Sequence, residues 1–265
     1  MNRIDRAFKG LKARRKKAFI TYITAGDPNL AVTAKLVRAL ESSGVDLIEL
    51  GIPFSDPLAD GPVIQAASKR ALDRGATLKK IFAAVKALRR TSEVPIVFMT
   101  YYNPVLHYGV GRFMKECRRC GVDGVIVPDL PCEEAKELIR YSRKEKIAAI
   151  FLAAPTSTKV RLKAIAKNSA GFIYYVSLTG VTGARTKLPP EVISKVRTIK
   201  RMTKKPVCVG FGVSNPGQAK GIAKVADGVI VGSAIVGVIG DSPKSALVRK
   251  VSGLSKRLAD AVHRK

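Results

Sequence analysis

The sequence contains no tryptophan and only two histidines, His107 and His263. Neither histidine stands at metal-ligand spacing from the other or from a cysteine, so no zinc site is written in the chain. With so few histidines, no Ser-His-Asp arrangement offers itself. Cysteine is also scarce: Cys117, Cys120, Cys132 and Cys208. Cys117 and Cys120 have C-x-x-C spacing, but no second pair follows. They fall in a helical repeat with Val110, Phe113 and Met114, which reads as reduced packing thiols. No apolar run approaches the roughly 18 residues that span a membrane. The opening stretch MNRIDRAFKGLKARRKKAFITY holds neither the apolar region nor the cleavage site of a secretory signal, and Asp5 falls too early for a transit peptide. The expectation is a cytoplasmic protein with no membrane contact.

Acidic residues are few. Twenty Asp and Glu face 48 Lys and Arg, a net charge of +28. That excess raises the question of a nucleic acid or another anionic partner. The basic residues are spread over many segments, such as KARRKK, LKKIFAAVKALRR, YSRKEK and RTIKRMTKK. No aromatics interleave with them, as a base-stacking platform requires. They read as solvated helix faces, with only non-specific polyanion binding expected.

What the chain does have is 46% apolar residues over 265 positions, enough for a substantial core. Eight short apolar runs recur, at 18–25, 46–52, 94–101, 122–129, 147–153, 171–177, 206–212 and 227–233. Each is nearly continuous and rich in Val and Ile, as strands covered on both faces are. Helical stripes lie between them: Val32, Leu36 and Leu40; Leu78, Ile81, Phe82, Val85 and Leu88; Val192, Val196 and Ile199; Leu247, Val251, Leu254, Leu258 and Val262. The pattern predicts a (β/α)8 TIM barrel, one domain over residues 1–265. An additional N-terminal helix carries Ile4, Phe8 and Leu11, and an extra helix after the second strand covers 62–74. A doubly wound open sheet is the alternative.

In a barrel, function gathers at the C-terminal ends of the strands. Glu49 lies inside the apolar run VDLIELGI, where a carboxylate must be paired, protonated or functional. Asp56 and Asp60 follow on a loop stiffened by Pro57 and Pro62. Asp60 reads equally as a functional carboxylate or as the cap of the next helix. VGFGVSNPGQA after the seventh run and VGSAIV after the eighth suit phosphate: glycines let backbone N–H groups approach an anion, and a short helix adds its dipole. A tight turn at Gly210 and Gly212 is the simpler alternative. SLTGVTGARTKLPP, carrying Arg185 and Lys187, suits either a lid over bound phosphate or an ordinary surface loop. No Lys stands at the mouth end of a predicted strand, against Schiff-base chemistry.

The segment LIELGIPFSDPLADGPVIQ resembles the signature of the tryptophan synthase α subunit family. ITAGDP, MTYYNP, VPDLP, GVTGAR, GFGVS and GSAIV resemble that family's strand-end motifs, in its order, across essentially the whole chain. The resemblance implies a (β/α)8 barrel that cleaves indole-3-glycerol phosphate to indole and glyceraldehyde 3-phosphate, with no metal or organic cofactor. It implies a β-subunit partner in an αββα heterotetramer. Glu49 then matches the general acid/base. Asp60 matches the carboxylate that accepts a hydrogen bond from the indole N–H. The phosphate is expected against Gly183, Gly212, Gly232 and Ser233, near Phe211. The indole is expected among Tyr22, Met99, Ile126 and Leu152, with Tyr174 near Asp60. Thr182 is expected to bond Asp60 on loop closure. Two other readings stand beside this one: a stand-alone lyase releasing free indole, and a non-catalytic basic barrel that binds an anionic partner. The +28 charge departs from what is common in the family.

Overall fold

The computed structural model describes residues 1–176, 189–210 and 212–264. All eight apolar runs form strands: β1 Ala18–Thr24, β2 Leu47–Gly51, β3 Ile96–Met99, β4 Gly124–Ile126, β5 Ala148–Ile150, β6 Leu152–Ala153, β7 Ile173–Val176, β8 Val207–Gly210 and β9 Gly228–Val231. Nine strands come from eight runs because the fifth run is interrupted at Phe151. Its two halves are one stave: β5 pairs with β4, β6 pairs with β7, and the Phe151 carbonyl accepts the Tyr174 N–H at 3.2 Å. The strand order is β5-β4-β3-β2-β1-β9-β8-β7-β6 and every pairing is parallel. Chain continuity through Phe151 closes that order into a barrel of eight staves, which excludes the open sheet.

The core has two layers, as the alternation of side chains along a barrel strand requires. Phe19, Ile23, Ile48, Leu50 and Phe98 point outward under the helices. Ile20, Leu47, Val97, Ile126, Phe172 and Cys208 fill the interior. Burial on both faces is why the strands read as continuous apolar runs.

The helices follow the predicted stripes: α1 Arg3–Ala13, α2 Leu30–Ser42, α3 Pro62–Asp73, α4 Leu78–Leu88, α5 Tyr102–Tyr108, α6 Val110–Cys120, α7 Lys136–Glu145, α8 Lys159–Asn168, α9 Pro190–Met202, α10 Pro216–Ala223, α11 Ser233–Asp241 and α12 Leu247–His263. On α4, Ile81, Phe82, Val85 and Leu88 are buried, and the Phe82 ring packs on Phe98, Tyr108 and Phe113 at 5.6–5.7 Å between centroids. Helix α1 stops the base of the barrel. Its Ile4 and Leu11 join the interior cluster, and Phe8 packs on Phe172 at 5.9 Å. Asn2 caps α1 by accepting the Ile4 N–H at 2.7 Å and donates to the Asp123 carbonyl at 2.8 Å. Asp123 is buried between Arg89 (2.8 Å) and Arg3 (3.2 Å), which pins α1 to the start of β4.

Cys117 and Cys120 face the core from α6 and are unpaired, and burial pushes the Cys120 thiol up to about 12. They are packing thiols, as their helical spacing indicated. Among the described residues, no helix is long and apolar enough to cross a membrane, and no group of three or more His, Cys, Asp or Glu is placed to hold a metal ion.

Candidate active site

Glu49 stands in the middle of β2. Leu47, two residues earlier, lies in the barrel interior, so Glu49 points inward too, while Ile48 and Leu50 face the helices. The side chain is fully buried, and among the described residues neither carboxyl oxygen has a hydrogen-bond partner. Burial alone raises its pKa from 4.5 to about 8. At neutral pH the group is therefore mostly a carboxylic acid, held ready to donate.

Its neighbours follow from the strand register. Tyr22 on β1 and Val97 on β3 flank Glu49. The Tyr22 hydroxyl pairs with Thr24 Oγ1 at 3.4 Å. A side chain on Gly51 would overlap the Tyr22 phenol, and one on Gly210 would come within 2.6 Å of the Tyr174 hydroxyl. Glycine at these two strand ends leaves the space that both rings occupy. Burial raises the Tyr174 pKa most, with a further contribution from the Glu49 charge.

Asp60 sits on the loop between β2 and α3. Its N–H donates to the Pro57 carbonyl at 3.1 Å, and its own carbonyl accepts from the Gln65 amide at 2.8 Å. The carboxylate is raised by burial, and a hydrogen bond from Tyr101 acts in the opposite sense. The cap of α3 is Gly61, with no side-chain cap bond, so the helix-cap reading of Asp60 is wrong. Pro62 at the first helical position removes one N–H that a cap would otherwise satisfy. Asp56 is exposed, and its carboxylate accepts from the Ser55 hydroxyl at 2.6 Å.

The five apolar positions expected around the indole do converge. Ile126 and Tyr174 belong to the interior cluster, and Met99 and Leu152 pack against it. Tyr22 adjoins the same space through Met99. Met99 is level with Ile126, and Leu152 is level with Tyr174.

At the far side of Tyr22, Thr21 pairs with Val231, so Gly232 lies one step on, level with Tyr22. A side chain on Gly232 would touch Tyr22 Cβ at 3.5 Å. Gly232 caps α11, and Ser233, its first residue, is exposed. The first-turn N–H groups of that helix form an anion-binding end. Between β8 and β9, Gly210 pairs with Ile230, and the same offset brings Gly212 level with Gly232. Gly212 has φ +28° and open space where a side chain would project. Glu49, Tyr22, Gly232 and Gly212 thus run across four adjacent staves. Phe211, Thr182, Gly183, Arg185 and Lys187 lie outside the described residues.

One residue at the site was not singled out from sequence. The Tyr101 hydroxyl accepts the Ala59 N–H at 2.9 Å as well as bonding Asp60, and its ring packs on Phe54 at 5.5 Å. It stands in the motif MTYYNP, beside a second tyrosine that points elsewhere.

A family model described as tryptophan synthase alpha chain matches residues 8–263. The chain belongs to the tryptophan synthase alpha chain family. It is 53% identical over 236 residues to the alpha chain of Geotalea daltonii, covering 89% of each, and 48% identical over 262 residues to that of Geotalea uraniireducens, covering 99% of this chain and 98% of the relative. The crystal structure of tryptophan synthase subunit alpha from Legionella pneumophila superposes with a TM-score of 0.92 at 38% identity, over 99% of this chain and 98% of the other. Alpha chains of this family are carbon–carbon lyases that cleave indole-3-glycerol phosphate, and this chain is one of them in tryptophan biosynthesis. The non-catalytic and stand-alone readings are not favoured.

Proposed function

We propose that Glu49 moves the protons of the cleavage and that Asp60 steadies the charge it creates. The observation that carries this is the burial of Glu49 with no hydrogen-bond donor among the described residues, which keeps its proton on the carboxyl group near neutral pH. Splitting the bond between the indole ring and the glycerol chain needs a proton on ring carbon C3. Glu49 supplies it, and the ring becomes an iminium whose N–H is more acidic and more positive. The Asp60 carboxylate accepts a hydrogen bond from that N–H and offsets the positive charge. Glu49, now a carboxylate, takes the proton of the hydroxyl next to the ring. That carbon becomes the aldehyde of glyceraldehyde 3-phosphate, and the bond pair returns to the ring as indole. The proton lost by the hydroxyl equals the one gained at C3, so Glu49 ends as it began.

The indole is held by Tyr22, Met99, Ile126, Leu152 and Tyr174. The phosphate is held by Gly212, Gly232 and Ser233; for Gly183, Phe211 and Thr182 the family resemblance alone supports a part in phosphate binding and loop closure. The strand spacing of about 4.8 Å puts Gly232 roughly 10 Å from Glu49, which leaves room for the phosphorylated three-carbon chain. No step calls for a metal or an organic cofactor. We further place the chain in the cytoplasm, as one domain, bound to a β subunit in an αββα assembly. Leu58 is 94% exposed on the loop after β2, and Leu106 is 56% exposed on α5 after β3. Bare leucines on two neighbouring strand-end connections suit a protein interface. Indole release from indole-3-glycerol phosphate, measured on the isolated chain and again with a β subunit added, tests the proposal. Turnover that the β subunit raises supports it, and absence of indole in both assays refutes it.

A further inference from the structure

Part of the positive charge gathers at the base once the barrel is assembled. Parallel strands all point to the mouth, so the helices return toward the base and their C-termini collect there. Those last turns are basic: Lys12 on α1, Arg118 and Arg119 on α6, Arg143 and Lys144 on α7, and Lys167 on α8. Most helices carry no acid in their first turn at the opposite end. Cations at helix C-termini offset the dipole, which accounts for one such residue per helix. It does not account for what surrounds the cavity between α1, α7 and α8.

That cavity has a volume of about 450 Å³ and opens at the base, beside the stopper helix. Arg143, Lys146 and Lys167 line it, against a single carboxylate, Asp5. None of the three cations is in an ion pair with a described residue. Lys146 closes α7 in the left-handed conformation, φ +58°, where Gly or Asn is usual. Lys205 lies nearby with its ammonium on the Ala166 and Lys167 carbonyls, and its pKa is lowered by burial and then by the Arg143 charge. Three carboxylates elsewhere on this end are already engaged: Asp123 with Arg3 and Arg89, Asp227 with Lys17 and Lys200, and Glu93 with Arg3 and Arg6. The cavity is therefore a concave pocket in which three cations face one carboxylate, an excess of positive charge. No aromatic ring lines it, so nothing there can stack on a base.

We propose that this basal cavity binds the phosphate backbone of a single-stranded nucleic acid, without reading its bases, at the opposite end of the barrel from the catalytic mouth. A cavity of about 450 Å³ has room for one phosphodiester chain and not for a duplex. Its concave form suits a chain better than the flat surface of a membrane. Binding there is driven by counterion release and weakens steeply with salt.

Fluorescence anisotropy with labelled oligouridine, titrated at several salt concentrations, tests this. The variant Arg143→Gln/Lys146→Asn/Lys167→Gln removes the three cavity cations, and Asn suits the left-handed position. The variant Lys35→Gln/Arg38→Gln/Lys79→Gln removes the same charge from the flanks, on α2 and α4. The cavity variant is expected to lose at least about ten-fold in affinity at low salt. Its slope of log affinity against log salt should flatten by about 2, near 0.7 for each lost contact, while the flank variant shifts the slope by less than about 1. If the triple variant does not fold, Arg143→Gln/Lys167→Gln carries the test, with a flattening of about 1.4. Saturating oligouridine should leave indole-3-glycerol phosphate cleavage unchanged. Equal losses in the two variants, competitive inhibition of cleavage, or displacement of the oligonucleotide by phosphatidylglycerol vesicles at equal charge would each overturn the proposal.

Discussion

Tyr22 and Glu49 are register partners on adjacent parallel strands, and both point into the barrel, yet the phenol pairs with Thr24 and leaves the carboxyl group without a donor. Had the phenol donated to Glu49, the carboxylate would have been favoured and its pKa lowered. Burial acts unopposed instead, and the proton stays on to about pH 8.

The consequence for activity is a basic limb. Glu49 must start as an acid, so kcat/KM is expected to fall above about pH 8 in the free enzyme, with a slope near one. Tyr22→Phe should leave that limb in place, because the phenol is not bonded to the carboxyl. A limb that moves by more than about one unit in Tyr22→Phe would show a direct bond between them.

Stability should follow the same proton. The folded chain holds it up to about pH 8, whereas an ordinary glutamate releases it near 4.5. Between those values the unfolded chain has fewer protons bound, so stability falls as pH rises, by up to about 1.4 kcal/mol per unit, and levels off above the window. In Glu49→Gln this decline should vanish. Chemical denaturation of both proteins at pH values across the window checks it, and parallel curves would contradict it.

Asp60→Asn is expected to abolish most cleavage, because an amide cannot offset positive charge on the indole nitrogen. The melting temperature should hardly move, since Gly61 and not Asp60 caps α3. Loss of activity accompanied by a large drop in melting temperature would return Asp60 to a structural role.

Gly232→Ala adds a methyl whose nearest neighbour is Tyr22 Cβ, at an ordinary 3.5 Å. The fold should tolerate it. The methyl stands at the entrance to α11, so the KM for the phosphorylated substrate is expected to rise about ten-fold or more with little change in stability. An unchanged KM would remove Gly232 from the phosphate cradle.

Gly51→Ala is expected to behave differently. Its methyl would overlap the Tyr22 phenol, so the ring must leave its place across the mouth. Overpacking of this kind costs about 1–3 kcal/mol. Both melting temperature and turnover should fall, and a variant as stable as the parent would mean that the ring is free to move.

Much of this was legible in the chain. The eight staves announce themselves because burial on both faces makes each an unbroken apolar run. Glu49 stands out because a carboxylate in such a run has few bland explanations. The break at Phe151 was invisible, since a gap in a hydrogen-bond ladder leaves the apolar pattern intact. Asp60 and Gly61 both suit a helix start before Pro62, and only the backbone shows which one caps. Tyr101 was hidden because its partner Ala59 is 42 residues away, and nothing local marks one of two adjacent tyrosines as the inward one. The crowding of charge at the base was also invisible, because basic residues spread along the sequence converge only when the helices return to one end.

The central claim is that Glu49 carries the proton. The most direct measurement is the single-turnover rate of indole-3-glycerol phosphate cleavage by Glu49→Gln, with substrate affinity determined alongside. Glutamine keeps the shape but cannot exchange a proton, so the rate is expected to fall by at least about 10²-fold while affinity changes little. A variant that keeps more than about a tenth of the parent rate would contradict the account, because a general acid/base contributes far more than that.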